Sequence, residues 1–147
     1  MKKRIITISS VIISLILVLS YIIIGNPVLL ANNQKLKEEI LAVHSEYVTL
    51  NEIVPFEWDT LYTFDPYTTK EEIERIIGFN SSSIKETVSE GMVQLLFVND
   101  QKVVSSICSY ADILGYGIDF SGKILYTDHA VFSVERDTDI LYLLYNN

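Results

Sequence analysis

The chain has 147 residues, 49% of them hydrophobic, and a formal net charge of −8. Lys2, Lys3 and Arg4 contribute +3, which leaves −11 for everything after them; that balance excludes nucleic acid and anionic polymers as electrostatic partners and suits basic protein surfaces, cationic peptides or metal ions. The single cysteine, Cys108, excludes an intramolecular disulfide, so the domain must be held together by its apolar core.

In chain order, the first feature is an uncharged run of twenty residues, Ile5 to Ile24, directly behind the basic cluster. At about 1.5 Å per helical residue it would cover roughly 30 Å, the hydrocarbon thickness of a bilayer. The run therefore predicts a single-pass transmembrane anchor over 5–24, with the basic end 1–4 in the cytoplasm and the carboxyl-terminal domain outside. A cleaved secretory signal is the competing reading; its apolar region is normally shorter and is followed by better-placed small residues. No cysteine lies near the junction, which excludes thioether lipidation there. Gly25-Asn26-Pro27 is expected to end the anchor, followed by a juxtamembrane linker over 25–33.

Leu36, Ile40, Val43 and Tyr47 then fall at helical spacing, with Lys35, Lys37, Glu38, Glu39 and Glu46 on the other sides, and predict an amphipathic helix over 34–47. From Trp58 the period changes to two: Trp58, Thr60, Tyr62 and Phe64 alternate with Asp59, Leu61 and Thr63, the pattern of a strand that Pro66 ends. Thr68 or Thr69 can cap a short helix over 69–77, with Glu71 or Glu72 as reciprocal partner, Glu71 and Arg75 one turn apart, and Gly78 just past the end. A serine-rich loop over 80–91 follows. Met92 to Val98 and Lys102 to Tyr110 flank Asn99-Asp100 as one hairpin; Ala130 to Glu135 and Ile140 to Tyr145 make a second. Between them, Gly115, Gly117 and Gly122 suggest irregular chain. The expected fold class is α+β: one transmembrane helix, then a single domain over 34–147 with a mostly antiparallel sheet and two helices on one face.

The segment from Phe56 to Thr68 reads Phe-x-Trp-Asp-x-x-Tyr-x-Phe-x-Pro-Tyr-Thr, with a short acidic helix ending at Gly78 behind it. It resembles a motif of small membrane-anchored or secreted bacterial proteins. That resemblance spans about 25 residues; it implies an extracytoplasmic domain and carries no activity with it. A fainter similarity to outer-envelope assembly lipoproteins lacks their lipidated cysteine, so their function is not transferred.

The motif has a structural explanation: Trp58, Tyr62 and Phe64 would supply an apolar face, Asp59 would bond backbone groups, and Tyr67 would staple the helix start. Its functional reading is a ligand or partner contact through Trp58, Asp59, Tyr62 and Tyr67. The other tyrosines divide between strand filling and an exposed recognition patch. His44 is expected at the edge of the core, and Asp128-His129 lacks a serine in a nucleophile-elbow context. Cys108 sits in an apolar run and reads as a buried, inert thiol. No histidine or cysteine pair has metal-ligand spacing, Asp137-Thr138-Asp139 lacks the remaining ligands of a calcium loop, and Gly115-Tyr116-Gly117 has no phosphate-binding lysine. Neither catalytic residues, a metal nor a cofactor is expected. The function so expected is a non-catalytic protein-interaction module of the bacterial cell envelope, with the membrane and another envelope protein as expected partners and no nucleic acid. The alternative is a small-ligand or peptide-binding secreted domain with an aromatic surface; a hydrolase using His129 ranks last.

Overall fold

A computed structural model of the chain describes residues 9–16, 18 and 26–145. Among them no helix is long and apolar enough to cross a membrane. Within the apolar run, residues 9–16 and 18 are helical. The helix that follows carries Lys35, Lys37, Glu38 and Glu39. The single-pass anchor over 5–24 is therefore corrected, and with it the membrane localisation and the outward orientation that rested on it. Residues 1–8, 17 and 19–25, which include much of that run, lie outside the described residues.

Pro27, expected to stop a helix, instead starts one. Helix α1 is Pro27–Leu41; the Asn26 side chain accepts from the Val28 N–H, and Pro27 occupies the first turn, where its missing N–H costs nothing. The expected linker is thus mostly helical; of the expected stripe Leu36, Ile40 and Val43 are buried in the core, but the helix ends at Leu41, before Val43 and Tyr47. The chain then turns into β1, Tyr47–Thr49, and a one-turn helix α2, Leu50–Ile53. His44 lies in the turn between and is exposed rather than packed at the core edge.

The remaining elements are β2 (Thr60–Tyr62), α3 (Lys70–Ile77), β3 (Met92–Asn99), β4 (Lys102–Tyr110), α4 (Ala111–Leu114), β5 (Tyr116–Asp119), β6 (Lys123–Leu125), a 3-10 turn (Tyr126–Asp128), β7 (Val131–Asp137) and β8 (Ile140–Tyr145). The α+β class stands, but the single sheet and two helices do not: the strands form two four-stranded sheets. Sheet A runs β1-β7-β8-β5 and sheet B runs β4-β3-β2-β6. All pairings are antiparallel except β5 with β8. The glycine-bearing segment read as irregular supplies that parallel strand.

The main core lies between the sheets. Phe132, Leu141, Leu143, Tyr116 and Ile118 of sheet A meet Leu61, Leu95, Phe97, Ile107 and Ile124 of sheet B, with Leu36 and Ile40 of α1 between them. Sheet B is apolar on its second face too, where Leu96 and Val98 pack under Ile73 of α3 and Ile84 of the long 79–91 segment. Helix α1 also closes the free edge of β4. Its Asn33 carboxamide donates to the Ser106 carbonyl at 3.0 Å and accepts from the Ser106 N–H at 3.3 Å and the Ser105 hydroxyl at 2.7 Å. Asn32 donates to the Val104 carbonyl at 2.8 Å. A side-chain amide thus takes the place of a neighbouring strand, which removes an edge able to recruit another chain.

Among the described residues sheet A has no second layer of strands or long helix packed on its outward face. Its inward residues alternate with Tyr47, Thr49, Val131, Ser133, Glu135, Asp137, Ile140, Tyr142, Leu144, Gly117 and Asp119, and β1–β7–β8–β5 register brings these side by side. Helix α4 reaches this face at the corner where Ala111 and the Tyr142 ring crowd Gly117; a Cβ there would lie 3.0 Å from the ring.

Candidate functional site

The four residues expected at a binding site separate. Trp58 is 5% exposed. Its indole makes edge-on contacts with Phe97 at 5.7 Å and Tyr126 at 5.3 Å between ring centroids, so it belongs to the core. The Asp59 carboxylate accepts from the Asp100 N–H at 2.8 Å. It thereby supports the two-residue β3–β4 turn, in which Asp100 and Gln101 both take positive φ. Tyr67 does not staple the helix; it is 62% exposed, has φ +67° and donates its N–H to the Thr87 carbonyl at 3.0 Å.

Trp58 borders a shallow concavity with Phe56 and Tyr126, and Tyr62 lines a separate, more extensive groove. The Tyr62 ring stacks on Phe64, with centroids 5.9 Å apart and planes 8° from parallel. Together with Phe120, Ile76, Asp65 and Glu72 they surround a groove of about 540 Å³ between the end of β2, α3 and the β5–β6 turn. The Thr63 N–H donates to the Gly122 carbonyl at 2.9 Å and ties the two walls together. Helix α3 forms one wall because its cap works as read: Thr69 accepts from the Glu72 N–H at 3.3 Å, and Gly78 ends the helix with φ +86°. The expected reciprocal bond from Glu71 or Glu72 is not the one formed; instead the first helical amide, the Lys70 N–H, donates to Glu86 at 2.6 Å. Arg75 pairs with Glu72 at 3.4 Å rather than with Glu71, an exposed pair that adds little.

Neither histidine lines this groove, and neither does Cys108. Asp128 uses its carboxylate to accept from the Leu125 N–H at 2.8 Å, which leaves His129 without the expected half of a triad. The Cys108 thiol contacts the Glu86 carbonyl at 3.8 Å. Burial pushes its pKa up, with Lys85 opposing, which makes it a poor nucleophile. Among the described residues, no three His, Cys, Asp or Glu side chains converge as a metal site requires.

The second candidate is the outward face of sheet A. Tyr47 and Val131, 63% and 51% exposed, stand at its β1 edge, and Leu144, Tyr142 and Ile140 continue it across β8. Asp119, Glu135 and Asp137 share the face, and no lysine or arginine does; Arg136 turns the other way and donates to the Val43 carbonyl behind α1. Sequence reading missed this surface. The signal was the unbroken apolar run Ile140 to Tyr145, which implies a strand apolar on both sides, but only topology tells which side is covered.

Comparison with protein-family models, with curated proteins and with solved structures finds no match to this chain.

Proposed function

We propose that the chain is a non-catalytic module that binds another protein. The observation that carries this reading is the outward face of sheet A, where exposed Tyr47 and Val131 and half-buried Ile140, Tyr142 and Leu144 stand together on three strands, with no sheet or long helix over them among the described residues. Single exposed apolar residues are ordinary, whereas a contiguous set rimmed by polar groups marks contact surfaces. The chemistry around the two histidines and Cys108 supports the non-catalytic part, since each lacks the partner that would activate it.

Photo-cross-linking from position 131, in the cells that make the chain, tests this reading. A discrete adduct with a second protein is expected, and it should disappear when the probe is moved to buried position 96. Absence of any adduct, together with turnover of generic ester or peptide substrates that His129→Ala abolishes, would refute it.

A second reading is favoured by the groove. The stacked Tyr62 and Phe64 rings and Phe120 offer flat apolar walls to a small ligand or peptide side chain. A ligand seated there should lose affinity in Phe64→Ala and be indifferent to Val131→Ser.

A further inference from the structure

We infer that the outward face of sheet A docks a basic partner, one that presents Lys or Arg around an apolar centre; this rests on the interaction-module reading and names the surface and the chemistry of its occupant. Register fixes the layout. Tyr47, Ser133, Leu144 and Asp119 form one row across the four strands, Glu135, Tyr142 and Gly117 the next, and Asp137 with Ile140 the last. Thr49 and Val131 complete the opposite end. The apolar part therefore runs diagonally from the Val131 corner to Tyr142 and Ile140, with carboxylates on both sides of it.

A second copy and a basic protein would meet this face differently, and charge separates them. A second copy would set Glu135, Asp137 and Asp119 against their own kind, on a chain that already carries −11 beyond residue 4. Like charges brought together at an interface repel and disfavour the contact. A basic partner meets the same three carboxylates with opposite sign, gains rate from long-range attraction, and covers the apolar diagonal with the hydrocarbon stems of its own Lys or Arg. Both edge strands near the patch discourage a different mode, strand addition. At the two edges of sheet A, β1 has only three residues and β5 only four.

The full chain is titrated with a fluorescent amphipathic Lys/Leu peptide and with its Glu/Leu counterpart. Two double variants of equal net charge change are compared: Glu135→Lys with Asp137→Lys on the face, and Glu71→Lys with Glu90→Lys on exposed positions elsewhere. The Lys/Leu peptide should bind, weaken steeply with salt, and lose about tenfold or more in affinity in the face variant but about threefold or less in the control. Tyr47→Ser with Val131→Ser should weaken it as well, with the salt dependence preserved. Equal binding of the Glu/Leu peptide, equal losses in both charge variants, or no binding of the Lys/Leu peptide to the parent chain would overturn the inference. So would sedimentation of the parent chain as a dimer that Val131→Ser dissociates. A cross-linked protein adduct from position 131 alongside failure of the Lys/Leu peptide would leave the module standing and dispose of the basic partner.

Discussion

The two sheets have the same number of strands and opposite relations to solvent. Sheet B is covered on both faces, by the main core on one side and by Ile73 and Ile84 on the other. Among the described residues sheet A is covered on one. Yet strand β8 of the half-covered sheet is as apolar as strand β3 of the enclosed one: Ile140-Leu141-Tyr142-Leu143-Leu144-Tyr145 against Leu95-Leu96-Phe97-Val98. Stability accounts for the first composition, since both faces of β3 are core. It does not account for the outward half of β8, and that surplus points toward binding.

The comparison breaks most visibly in the core. Phe97 is fully buried and touches both Phe56 and Trp58 edge-on. Phe97→Ala should cost about 3–5 kcal/mol in urea unfolding followed by Trp58 fluorescence, and a loss under about 1 kcal/mol would mean the two sheets are not packed as described. A matched leucine pair then tests the outer faces directly. Leu96→Ala, at a residue 1% exposed, should cost about 2–4 kcal/mol, while Leu144→Ala on the open face should cost less than about 1. Comparable losses at the two positions would show that sheet A has a cover after all.

Smaller effects sharpen the picture at the margins. Asn33→Ala strips the β4 edge of its carboxamide and should cost about 1–3 kcal/mol, with faster hydrogen exchange at the Ser106 amide. In the alkaline range the sheets differ through Tyr116, whose phenol burial holds well above the ordinary tyrosine value. Its native pKa is raised, so its contribution is present below about pH 10 and is lost as pH climbs past the unfolded-state value. The urea midpoint should therefore fall from pH 9 to 11 more steeply in the parent chain than in Tyr116→Phe. Finally, Glu52 accepts from both the N–H and the hydroxyl of Thr49, which lowers its pKa. The start of α2 should loosen as pH drops below the usual glutamate range, read as faster exchange at the Thr49 amide, and Glu52→Gln should shift that onset.

Local signals in the sequence were read well where one residue type has one physical use. Thr69 and Gly78 bound α3 because a hydroxyl cap and a left-handed stop have few substitutes. Both hairpins stood out as apolar runs around polar turns. Pro27 misled because proline serves at the first turn of a helix as well as past its last, and the Asn26 cap decides between them. Tyr47 fits a helical stripe by spacing, but the stripe outlives its helix, which ends at Leu41. The parallel β5–β8 pair, the division into two sheets and the bare face all depend on contacts distant in sequence, where local pattern has no purchase. The aromatic motif shows the same limit from the other side: its alternation was real, but Trp58 faces Phe97 while Tyr62 faces the groove.

Strand order also sets a timetable. Every strand of sheet B is complete by Leu125, whereas the inner strand of sheet A, β8, is the last described element of the chain. During vectorial synthesis β5 must therefore wait for residues 140–145 before it gains any ladder partner. Until then Leu61, Leu95, Phe97, Ile107 and Ile124 have no opposing sheet. A nascent chain paused between β6 and β8 would display that greasy surface on an otherwise finished sheet, the stage at which a chaperone has most to hold and a premature stop codon does most harm.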